Sequence, residues 1–122
     1  MSDKPVAERL QVKGARRLAV LDAPPAIDKA IGAAKARAPA KAADVVLLFV
    51  RSQAEAKKKL PATVSGLGAA AIFWLAYPKL TSPLAGDMSR DVIHALAPAY
   101  GLDTVSQIAI DDDWSALRLK RT

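Results

Sequence analysis

The chain has 122 residues, 52% hydrophobic and 25% charged, a balance that excludes a disordered or low-complexity protein and leaves room for one domain, residues 1–122, around one core. It contains no cysteine, which excludes disulfides and thiolate metal sites and fits a reducing, cytoplasmic compartment. A net charge of +6 favours weak nonspecific contact with polyanions, but two Trp, two Tyr and two Phe are too few for a base-stacking platform, so no specific nucleic-acid partner is expected.

Residues 1–15 read as an N-terminal helical arm, with charges among few apolar residues and no stretch of signal-peptide length. Three apolar runs follow, Leu18–Leu21, Val45–Val50 and Ala69–Leu75, the last too short to cross a bilayer. None alternates with period two, the pattern of strands covered by helices on both faces. Ser52 and Glu55 form a capping box at the start of a helix, which Pro61 is expected to kink or end. After Tyr77-Pro78-Lys79, residues 81–86 read as a loop. Asp87 or Ser89 then caps a helix with Val92, Ile93, Leu96, Ala97 and Tyr100 on one face, closed by Pro98 and Gly101. Val105 and Ile108–Ile110 predict a strand and Asp111–Trp114 a turn. Leu117 and Leu119 alternate with Arg118 and Lys120, which predicts a last strand exposed on one side.

The prediction is therefore an α/β, three-layer Rossmann-like fold: a mostly parallel sheet with a C-terminal antiparallel hairpin. Residues 34–38 alternate like a strand but are built from residues of weak strand propensity. Topology decides their assignment. Strands that simply followed one another would place every right-handed crossover helix on one face. A short edge strand near 34–38, beside the first, puts helices on both, and the predicted order is 2-1-3-4-6-5.

The segments Gly14–Pro24, Ala43–Ser52, Trp74–Lys79, Asp87–Asp91 and Ile110–Arg118 together resemble a bacterial family, the domain of unknown function 3052. The resemblance implies a compact relative of the class I, S-adenosylmethionine-dependent methyltransferase fold and carries no activity with it. In that fold the first turn is glycine-rich and an acidic residue ends the second strand. Here the turn is Asp22-Ala-Pro-Pro25, with two prolines that lack amide donors, and the candidate second strand carries Lys35 and Arg37. No cofactor is therefore expected.

Open α/β sheets bind ligands beyond the carboxyl ends of their strands, where strand order reverses. That rule gathers Asp22, Pro24, Arg51, Ser52, Lys79, Asp112 and Trp114 as a candidate ligand crevice. Each also has a structural reading: Asp22 and the prolines as a turn, Ser52 as a cap, Arg51 and Lys79 in surface ion pairs, Trp114 as a hairpin anchor. Asp111–Asp113 read as turn acidity and no metal site is expected; His94 is a surface histidine. The chain has no Gly-x-Ser-x-Gly elbow, Walker loop or zinc spacing. The leading function is a non-catalytic binding or interaction module, able to self-associate through its alanine-rich edge; the alternative is a small atypical methyltransferase using Asp22, Lys79 and Asp112.

Overall fold

The computed structural model describes residues 6–12, 14–32, 36–68 and 70–122. A single turn of helix, α1 (Val6–Arg9), precedes β1 (Leu18–Leu21), α2 (Pro25–Ile31), a 3-10 turn (Ala40–Ala42), β2 (Val45–Phe49), α3 (Gln53–Ser65) and β3 (Ile72–Pro78). Helix α4 (Arg90–Leu96) continues as a 3-10 turn to Tyr100, and β4 (Leu102–Ala109) and β5 (Trp114–Arg121) close the chain. The five strands are ordered β1-β2-β3-β5-β4, with the first three parallel and β5 antiparallel to both neighbours.

The proposed six-strand order is thereby corrected. Residues 34 and 35 lie outside the described residues, and residues 36–38 make one parallel bridge, Leu18 to Arg37, with the Ala38 amide donating to the Leu18 carbonyl at 3.0 Å. No strand forms there among the described residues, because alanine and proline offer little side chain to pack across a pleat. The bridge still takes the chain round the edge of β1. Ile27 and Ile31 of α2 pack on one face of the sheet with Leu18, Val45, Leu47 and Phe49; Ala38 and Ala40 join the other face, where Ala56 and Leu60 of α3 and Ile93 of α4 cover Val46, Leu48, Phe73 and Leu75. The α2 face is completed by the N-terminal arm, whose Leu10 is fully buried and accepts a hydrogen bond from the Trp74 indole at 3.0 Å.

Local chemistry sets most boundaries. Ser52 and Ser89 each accept a backbone amide three residues on, at the starts of α3 and α4, and Gly101 ends the second in a left-handed conformation. Asp87 does not cap α4; its carboxylate accepts the Gln53 amide at 2.8 Å and so serves α3. Helix α3 runs through Pro61, which falls on an exposed position where the unpaired carbonyl one turn back can meet water. The third strand begins at Ile72, later than its apolar run, because Ala71 closes a turn onto Gly68 and Ala69 lies outside the described residues. Strand β5 is buried on both faces over Trp114–Leu117, not exposed on one, since it is inserted between β3 and β4.

Strand β2 is buried at every position, and Leu47 has no exposed surface. Leu47→Ala is expected to cost about 3 kcal/mol, the range for truncating a leucine in a packed core, whereas Leu80→Ala, at an exposed position, changes stability by less than about 0.5 kcal/mol. Urea denaturation of the two variants measures both.

Candidate functional site

The carboxyl ends of β1, β2 and β3 and the β4–β5 turn lie along one edge of the sheet, as the parallel register requires. At the end of β1, Asp22 adopts a left-handed backbone (φ 62°), a conformation that aspartate tolerates better than most side chains. Pro24 precedes α2 in an extended conformation and Pro25 is its first residue; no side chain caps this helix. The Asp22 carboxylate turns instead to α3, where Lys59 Nζ lies 3.3 Å from it and 3.1 Å from Glu55 Oε1. Glu55 therefore does not complete the expected capping box. Burial pulls the Lys59 pKa down, but hydrogen bonds to Glu55 and Asp22, with their negative charges, outweigh it and raise the pKa above its usual value.

The remaining predicted residues separate into different roles. Ser52 is the α3 cap, and Arg51 is exposed, its carbonyl so close to Gly86 that an added Cβ would stand 3.1 Å away. Trp114 is buried edge-to-face against Phe49, ring centroids 5.1 Å apart, so it anchors the hairpin and offers no stacking surface. Asp112 is exposed at the turn. Asp111 Oδ1 accepts the amides of Asp113 and Trp114, both at 2.8 Å, while Asp113 Oδ1 accepts the Ser82 hydroxyl at 2.8 Å. These acids are committed to turn geometry, and no group of three His, Cys, Asp or Glu able to hold a metal occurs among the described residues. His94 Nδ1 forms a 2.8 Å hydrogen bond with the Thr104 hydroxyl, tying α4 to β4.

Lys79 alone of the predicted set lines an open groove, of about 550 Å³, with Tyr77, Leu80, Arg90, Ile108 and Ser115 among its walls. Burial raises the Tyr77 pKa, against the lowering effects of Arg90 and of a hydrogen bond with Ser115. The sequence reading missed Lys59, Arg90 and Arg37. The Glu55–Lys59 spacing of four residues announces a helical pair, but nothing local announces that Lys59 reaches β1. Arg37, read as part of a basic strand, pairs with Asp28 at 2.7 Å and donates to the Gly32 carbonyl, closing the C-terminus of α2.

The residues at the carboxyl end of β1 do not have the chemistry that the class I methyltransferase fold uses to hold its cofactor. Two successive prolines remove amide donors from the turn, Asp22 is engaged by Lys59, and the cation next along, Arg37, is spent on α2. No helix among the described residues is long and apolar enough to cross a membrane.

Comparison with known proteins matches a family profile described as a protein of unknown function (DUF3052) to residues 23–122. No curated protein matches. Among solved structures, the mitomycin 7-O-methyltransferase MmcR is similar over 88% of this chain and 49% of its own, at 11% identity and a TM-score of 0.55. LepI in complex with SAM is similar over 96% of this chain and 39% of its own, at 11% identity and a TM-score of 0.53. The chain thus spans less than half the length of either, and the likeness is one of fold.

Because the bonded form of Lys59 is the ammonium, its contribution to stability is complete below pH 10.5 and is lost as pH rises through the raised pKa. Lys59→Met is expected to lower stability by about 0.5 kcal/mol at pH 8, with the difference from wild type vanishing at more alkaline pH; paired urea denaturations across that range measure it.

Proposed function

We propose, from the premise that the chain belongs to the DUF3052 family of proteins of unknown function, that it is a non-catalytic binding or interaction module on a methyltransferase-like sheet. The observation that carries this reading is the Asp22–Pro25 turn: its imino acids supply no amide donors, and the Lys59 ammonium occupies the Asp22 carboxylate. A nucleotide-like cofactor would have to displace an ion pair and would gain few backbone hydrogen bonds in exchange. A cysteine-free composition is in keeping with a reducing, cytoplasmic setting for the module. The alternative, a small atypical methyltransferase, draws support only from the fold likeness to MmcR, and fold does not carry function.

Calorimetric titration with S-adenosylmethionine and S-adenosylhomocysteine tests this reading. No saturable heat is expected; saturable binding in the micromolar range overturns it.

Self-association belongs to the same reading, moved to a different edge. Residues 36–38 make a single bridge, whereas β4 is an eight-residue outer strand without Lys, Arg or Pro, and Val105 on it is half exposed. Apart from Asp103 and the register irregularity between Thr104 and Ser106, this edge lacks the features that discourage strand pairing. Sedimentation is expected to show a species heavier than 12.9 kDa at high concentration that Val105→Lys returns to monomer; a wild-type monomer at all concentrations contradicts it.

A further inference from the structure

The groove at the carboxyl end of β3 combines two features, apolar walls and cations. Its walls are largely apolar, with Leu80 68% exposed and Ile108 half-buried beside it, yet two cations, Lys79 and Arg90, stand on its rim. Among the described residues neither cation forms an ion pair: Asp113 holds the Ser82 hydroxyl, Asp91 acts on Tyr77 through its charge without bridging to either cation, and Asp112 is exposed at the β4–β5 turn. Tyr77 and Ser115, buried, paired across β3 and β5 and hydrogen-bonded to each other, form part of its lining, and Gln107 adds an exposed amide. Two cations without a salt-bridge partner among the described residues, over an apolar wall, create a field that an anion relieves and a surface that an aliphatic body covers.

We propose that this groove binds a small amphipathic carboxylate, its head held by Lys79 and Arg90 and its apolar body lying along Leu80 and Ile108. This names the ligand class of the binding module proposed above and rests on that reading.

The test is an amide NMR titration of the full chain with octanoate, using 1-octanol as the neutral comparator. Octanoate is expected to shift the amides of residues 77–81 and 107–109 saturably and to bind about tenfold more tightly than octanol, the scale of charge-assisted hydrogen bonds. The Lys79→Gln, Arg90→Gln double variant is expected to lose about tenfold in affinity, Leu80→Ser to weaken binding, and Lys79→Arg to retain it. Arg118→Gln with Lys120→Gln, on a smaller cavity at the opposite edge, leaves affinity unchanged. Absence of saturation, shifts mapping elsewhere, equal binding of octanol, or unaltered affinity in the double variant each overturns the assignment. S-adenosylmethionine shifting residues 22–27 instead would remove the non-catalytic reading without touching this groove, so the two failures are distinguishable.

Discussion

A sheet that is apolar on both faces must be covered on both, and the rest of the molecule follows from how so short a chain manages it. Had β1 led directly to β2 by a right-handed crossover, α2 would share the face of α3 and leave the other open. The chain instead passes outside β1, makes one bridge at Arg37, and returns over the opposite face through Ala38 and Ala40. That excursion frees α2 to cover Val45, Leu47 and Phe49, and the N-terminal arm fills what α2 does not reach, pinned by the Trp74 indole on the Leu10 carbonyl and by Arg9 on the Ala109 carbonyl.

The economy of this detour bears on the candidate site. A 3-10 turn and a single bridge stand where a longer chain would place a strand and a full helix, so α3 is the element that closes over the end of β1. Leu21 packs into the cluster containing Ala56 and Leu60, which brings the next residue, Asp22, within reach of Lys59. The left-handed backbone at Asp22 turns its carboxylate toward that ammonium, while the prolines set the direction of α2 without offering amides. The carboxyl end of β1, one of the strand ends beyond which open α/β sheets bind ligands, thereby carries an ion pair made by the protein's own charges.

What could be read from the sequence was local. The strand cores at Leu18–Leu21 and Val45–Phe49, the Ser52 cap and the stop at Gly101 each depend on a few adjacent residues whose stereochemistry admits one solution. What could not be read depended on distant partners. Asp87 and Ser89 are equally good caps by type, and only the arrival of Gln53 assigns Asp87 to the other helix. The alternation at 34–38 has the period of a strand, but alanines gain too little from pairing to extend one bridge into a ladder. Trp114 was legible as a hairpin anchor, yet its burial against Phe49 removes it from the crevice where its sequence position had placed it. Arg90 carries no motif; it becomes relevant because the loop after β3 returns α4 to the same groove as Lys79.

The likeness to MmcR and LepI at 11% identity is one of fold and brings no function with it. What those similarities preserve is the order and direction of strands, which fix where loops emerge but not what the loops hold. In this chain the exposed Asp22 carboxylate after β1 is paired with Lys59, and two acids of the β4–β5 turn, Asp111 and Asp113, hold backbone amides and Ser82. Lys79 and Arg90, at this end of the sheet, form no salt bridge among the described residues, and both border exposed apolar surface. Lys79 and Arg90 beside Leu80 thus set cationic and apolar surface together at the end of β3, whereas the Asp22 carboxylate at the end of β1 is paired with Lys59.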